Sequence, residues 1–201
     1  MLLIDSDNAA GSPRGDVDDA FAIAALLRSG LPVAALASVA GNTDEAAADR
    51  NNRALGALCG YRGRYLRGVR AGEVGEVAER IDRAAEVWTG GTGGPLTFLA
   101  LGPLTNLAAV LARPERGAAI TEAVLVGSNL TSRGRFPPFW PHEFNLTKDG
   151  AATRAVFASD LPLTVIPLDV ARRLRAGPRE IAKLPGSLGD FLRRHAARWS
   201  R

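Results

Sequence analysis

The sequence predicts an α/β domain: a mainly parallel, open sheet flanked by helices. Two observations carry this. Short apolar runs alternate with longer amphipathic stretches along the chain. Its 201 residues are enough for one sizeable core and too few for a second full domain. A hydrophobic share of 46% beside 23% charged residues suits a globular chain of this kind.

Taken in order, Leu2, Leu3 and Ile4 form an apolar run ending at Asp5, read as the first strand over residues 2–5. Ala20, Ile23, Ala24 and Leu27 then recur at helical spacing. Further strands are expected over 33–39, 96–101, 123–126 and 163–167, with helices over 43–59, 74–86, 104–112 and 148–158. Ser187 is placed to cap a last helix in which Leu188, Phe191, Leu192, His195 and Trp199 share one face. That face requires a partner, and the sequence stops at Arg201 with no strand to follow. The expectation is therefore one domain over 1–201, incomplete at its C-terminal end, poorly stable alone and inclined to form homo-oligomers.

Composition excludes several classes. No apolar run is long enough to span a bilayer, and no secretory signal opens the chain. The single cysteine, Cys59, rules out an intrachain disulfide and a cysteine-built zinc site. The default compartment is the cytoplasm. A net charge of +4 is modest, and all but two of the 25 basic residues are arginine, scattered without interleaved aromatics. No nucleic-acid partner is expected, and no membrane.

Two stretches exceed simple turns: 8–16, with Gly11, Pro13 and Gly15, and 128–142, with three prolines and the aromatic Phe136 and Trp140. Long loops in compact domains are often functional, and ligands of parallel α/β sheets bind at the C-terminal ends of strands. The chemistry concentrates there. Asp5 and Asp7 end the first strand, and Asp16, Asp18 and Asp19 lead into the first helix. Carboxylates this close repel one another unless protonated or neutralised. Clustered hard oxygens suit calcium or magnesium rather than zinc. Capping of the helix N-terminus accounts equally for Asp16 and Asp18, but poorly for Asp5 and Asp7.

An apolar strand ending in Asp-x-Asp, followed by Asp18-Asp19-Ala20 and an apolar helix, resembles the opening of the inosine-uridine-preferring nucleoside hydrolases. Three later segments agree in order: Val39-Ala40-Gly41-Asn42; Ala100 to Asn106, reading Ala-Leu-Gly-Pro-Leu-Thr-Asn; and Glu143-Phe144-Asn145 with Asp149 and Ala151. The resemblance implies a Rossmann-like nucleoside hydrolase fold acting on a small-molecule ribonucleoside. It implies Ca2+ held by Asp7, Asp19 and the backbone carbonyl of Leu101, with Asp7 also the base that activates water. By the same resemblance, Asp18 would hold the ribose 2′-hydroxyl, Asn42, Glu143 and Asn145 would complete the polar lining, and Asp5 would lie behind.

Spacing alone permits plainer roles. Asn42 after Gly41 reads as a turn residue, Thr105 and Asn106 as helix caps, Glu143 and Asn145 as solvated loop residues, and His142 as incidental. The chain also departs from the family pattern. Its first loop is longer, Pro137 stands near a family asparagine, and a further C-terminal aspartate has no counterpart within the 201 residues. Two alternatives follow: a catalytically impaired fragment that binds calcium or sugar, and a phosphatase of the haloacid dehalogenase type with Asp5 as nucleophile.

Overall fold

The computed structural model describes residues 1–12, 15–68, 95–113, 119–130 and 143–199, without the side chains of the last two. The helix expected over 74–86, Phe136, Pro137, Trp140, His142 and the side chain of Trp199 lie outside the described residues.

Six strands make one sheet: β1 (Leu2–Ser6), β2 (Val33–Ser38), β3 (Arg64–Arg67), β4 (Leu96–Ala100), β5 (Ile120–Val126) and β6 (Leu163–Ile166). Their order is β3-β2-β1-β4-β5-β6, and each described pairing is parallel. From β1 the chain builds outward through β2 and β3, then crosses back to place β4 on the other side of β1. The two halves are wound in opposite directions, so the connections leave β1 and β4 on opposite faces and open a crevice at their C-terminal ends.

The pleat explains the two-sided core. Successive residues of a strand point to opposite faces. Leu3, Ala35, Phe98 and Leu125 therefore meet α3 (Thr105–Leu111) and α5 (Gly150–Phe157) through Leu104, Leu107, Val110 and Val156. Ile4 and Leu36 face the other way, onto Ile23 of α1 (Asp18–Arg28) and Leu55 of α2 (Glu45–Leu58). Among the described residues no helix is long and apolar enough to cross a membrane.

Several boundaries differ from expectation, each for a local reason. β3 was not expected because its Tyr65-Leu66 pair is flanked by Arg64 and Arg67, which hides a short edge strand. The single helix expected over 148–158 is two, α4 (Phe144–Lys148) and α5, broken at Asp149. Asp149 leaves helical geometry at φ −133 and ψ 81 and caps α5, accepting from the Ala152 N–H at 3.0 Å. Thr105, read as a cap, instead donates its hydroxyl to Asp149 at 2.8 Å and ties α3 to α5. Asp44 caps α2 by accepting from the Ala47 N–H at 2.8 Å. Two short helices, α6 (Leu168–Ala171) and α7 (Pro178–Ala182), follow β6.

The largest correction concerns α8 (Gly186–Trp199), which begins one residue before the expected cap. Its apolar face does find a partner. Leu192 is only 4% exposed and belongs to the cluster built by β1, α1 and α2, with Leu188, Phe191 and Ala196 packed beside it. The covering elements precede the helix in the chain. Leu192→Ala should accordingly lower the unfolding free energy by ~2–5 kcal/mol in urea titrations. A loss below ~1 kcal/mol would be surface behaviour and would contradict the docking of α8.

Candidate active site at the end of the first strand

Asp5 is the last β1 residue to pair with both neighbouring strands, opposite Ala37 on one side and Ala100 on the other. It is wholly buried. One carboxyl oxygen, Oδ1, accepts from Asn106 Nδ2 at 2.8 Å, while Oδ2 has no partner among the described residues. A group so enclosed cannot reach a substrate, which counts against the phosphatase alternative with Asp5 as nucleophile.

Ser6 and Asp7 follow. Ser6 donates its hydroxyl to Asp19 Oδ2 at 2.6 Å and accepts from the Asn8 N–H at 2.9 Å, fixing the second residue of α1 to the end of β1. Asp7 is 1% exposed; its Oδ2 accepts from the Asn42 N–H at 2.6 Å, and its carboxyl lies close enough to that of Asp19 for their charges to interact. The loops after β2 and β4 close on it from either side. A Cβ on Gly41 would fall 2.0 Å from Asp7 Oδ2, and one on Gly102 would fall 2.8 Å from Oδ1. Only glycine lets both backbones approach so closely.

The structure thus brings Asp5, Asp7 and Asp19 together, with half-buried Asp16 and exposed Asp18 at the start of α1. Asn42 is exposed and reaches Asp7 through its backbone N–H. Glu143 caps α4, its two oxygens accepting from the N–H groups of Asn145 at 2.7 Å and Leu146 at 2.8 Å. Asn145 donates Nδ2 to the Leu101 carbonyl at 2.7 Å and to that of Val126 at 2.9 Å. Neither Glu143 nor Asn145 is a solvated loop residue.

Crowding dominates the electrostatics. Burial pushes Asp5 up to about 7, with the Asn106 bond opposing and the charge of Asp7 adding to the rise. Burial also raises Asp7, and it raises Asp19 well above the carboxylate range, with the charges of Asp7 and Asp18 reinforcing it. Asp16 is lifted to about 7 by burial and then by Asp18 and Asp7. Alone, this pocket retains protons; a hard cation could take their place. The donor set fits one in kind. Asp7, Asp19 and the Leu101 carbonyl are all oxygen donors, and Asp5 Oδ2 is a buried polar atom awaiting compensation. Among the described residues no three acidic, histidine or cysteine side chains form a finished cage, so water would have to fill the remaining positions.

Four contributors were not expected from the sequence. Asn106, taken as a cap, is the partner of Asp5. Ser6, between two aspartates, holds Asp19. Asn51 and Asn52 of α2 staple the first loop: Asn51 Nδ2 donates to the Asn8 carbonyl at 2.9 Å, and Asn8 Nδ2 donates to Asn52 Oδ1 at 3.1 Å. Asn52 is 1% exposed within a helix, and such a buried amide demands partners, but its burial is set by the packing of α2 rather than written in local spacing.

Comparison with known proteins bears on the family and the fold. The family model for "Inosine-uridine preferring nucleoside hydrolase" matches residues 2–200. A non-specific ribonucleoside hydrolase, RihC, of Salmonella newport is 39% identical over 92 residues, which is 45% of this chain and 29% of that protein. The matched segment therefore spans under a third of the curated relative. An inosine-guanosine nucleoside hydrolase superimposes with a TM-score of 0.76 at 19% identity, over 99% of this chain and 72% of the other. An inosine-uridine preferring nucleoside hydrolase from Bacillus anthracis gives a TM-score of 0.75 at 17% identity, over 98% and 75%. At such identities the structural likeness speaks to the fold.

The raised carboxyls have a signed consequence for stability. Asp5 and Asp16 hold protons to about pH 7 when folded, against an ordinary value of 3.8. Between those limits the folded chain binds more protons than the unfolded one, so stability is fully present below the lower value and is lost as pH rises through the upper. In chelator, the urea midpoint should fall steadily from pH 5 to pH 8. A midpoint that rises over this range would contradict the buried carboxyl cluster.

Proposed function

The chain belongs to the inosine-uridine preferring nucleoside hydrolase family, and from that premise we propose that it hydrolyses the N-glycosidic bond of ribonucleosides to ribose and free base. The observation that carries the proposal is the buried Asp7–Asp19 carboxyl pair at the β1/β4 crevice. Its chemistry suits the reaction. As the C1′–N bond breaks, its electron pair leaves with the base and positive charge grows on the sugar, which surrounding carboxylates and amide oxygens stabilise.

In this reading Asp7 accepts the proton of the water that adds to C1′. Asp18, exposed at the crevice mouth, accepts from the ribose 2′-hydroxyl. Asn42, Glu143 and Asn145 line the sugar. Asn145 does so through Oδ1, because its Nδ2 is spent on two carbonyls. Calcium, held by Asp7, Asp19 and the Leu101 carbonyl with water completing its shell, would supply a Lewis acid that makes water a usable nucleophile near neutral pH. Homo-oligomeric assembly and a cytoplasmic setting complete the proposal. Exposed Leu130, Val170 and Leu174 supply apolar surface for the former.

Hydrolysis of inosine and uridine under saturating calcium is the test. Asp7→Asn should cut kcat by ~10²–10⁴ with a smaller effect on KM, because an amide cannot take the water's proton. Asp18→Ala should raise KM as well as lower kcat, since it removes a contact made before the transition state. Variants as active as the parent would refute these roles, and phosphate release from an aryl phosphate with nucleosides untouched would refute the reaction.

Metal dependence is tested separately by isothermal titration. One divalent site should appear, preferring calcium to zinc, with Asp19→Ala weakening it sharply. Equal affinity in parent and variant would remove Asp19 from the site.

A further inference from the structure

Two asparagines stand in matching positions on either side of the β1/β4 crevice. Asn106, the second residue of α3, places Nδ2 2.8 Å from Asp5 Oδ1 and 2.9 Å from the Ser38 carbonyl, linking the ends of β1 and β2. Asn145, in α4, places Nδ2 2.7 Å from the Leu101 carbonyl and 2.9 Å from that of Val126, linking the ends of β4 and β5. The amide orientations are forced. Backbone carbonyls only accept, so each side chain must turn its NH2 toward them. The end of β3 closes on the first of these links as well, for a Cβ on Gly68 would fall 2.2 Å from Asn106 Nδ2.

Each lip of the crevice is thus a pair of strand ends bound by one amide. That matters because the proposed oxygen donors are divided between the lips. Asp7 follows Asp5 by two residues on one side, and Leu101 lies on the other. Twisted parallel strands are free to splay where their ladder ends, and a hard cation demands its oxygens at closely defined distances. Asn145 bonds directly to the Leu101 carbonyl, and Asn106 bonds directly to Asp5 behind Asp7.

We propose that Asn106 and Asn145 are positioning residues of the cation site, Asn106 fixing the strand end that carries Asp7 and Asn145 fixing the Leu101 carbonyl, each within its own lip, before any cation binds. The inference rests on the calcium reading above and adds to it a set of supporting groups. Partners that orient metal ligands contribute about 10- to 100-fold in affinity.

The experiment uses the whole chain and two ions. Calcium affinity is measured by titration for the parent and for Asn145→Leu, Asn145→Ser and Asn106→Ser. Val156→Ala, a buried change on α5, controls for lost stability. Europium(III) replaces calcium in parallel, and its luminescence decay in H2O and D2O counts coordinated waters. Both asparagine sites should lose about 10- to 100-fold in calcium affinity while the control keeps the parent value. Asn145→Leu should also gain about one water on europium, because the Leu101 carbonyl is no longer held toward the ion. Asn145→Ser, smaller and at a half-exposed position, keeps the test open should the leucine variant not fold. Asparagine variants within about threefold of the parent, with unchanged water counts, would overturn the inference alone. A parent chain that binds neither ion would overturn the calcium reading and this inference with it.

Discussion

Carboxyl groups crowd into the end of one strand, and much of the structure follows from that crowding. Asp5, Asp7 and Asp19 are almost wholly buried and close together in space, and Asp16 and Asp18 add charge from the start of α1. Like charges removed from water raise each other's pKa and destabilise the fold unless protons or cations intervene. The surroundings act to contain this. Ser6, the Asn42 N–H and Asn106 each aim a donor at one carboxyl, and two glycines bring the backbone in close enough to enclose Asp7.

The sheet order makes the crowding useful. Because β1 is central and its neighbours are β2 and β4, loops from both halves of the fold converge on its end. Gly41 arrives from β2, Gly102 from β4, and Glu143 with Asn145 from the segment after β5. A cluster that would be a liability elsewhere lies at the one point where oppositely wound connections leave a crevice for a ligand. Burial raises the carboxyls, and burial also lets a bound cation and a developing positive charge interact strongly with them.

Support for the site extends outward through amides rather than ion pairs. Asn106 and Asn145 join strand ends, while Asn8, Asn51 and Asn52 bind the first loop to α2 and to the Ala37 carbonyl. Neutral amides suit this position, because they satisfy buried carbonyls without adding charge to a pocket that already has too much. Across the sheet, the buried Glu45 accepts from Ser38 at 2.9 Å and pairs with Arg67 at 2.7 Å, fastening short β3 to α2.

What the sequence alone determined is local. Alternating apolar runs and helical spacing marked five of the six strands and the main described helices, because periodic burial is written directly into neighbouring residues. The convergence of Asp5, Asp7, Asp18 and Asp19 was equally plain, since one strand and one helix start bring them together within fifteen residues. The partners were not readable. Asn106 meets Asp5 across 101 positions, and Asn145 meets Leu101 across 44. Nothing in local spacing tells a helix cap from a clamp between strands. The same holds for Leu192, whose burial depends on α8 folding back over elements far earlier in the chain. Strand order and packing decide such contacts, because a hydrogen bond or a buried methyl group depends on what lies opposite in space, and only the completed sheet sets that.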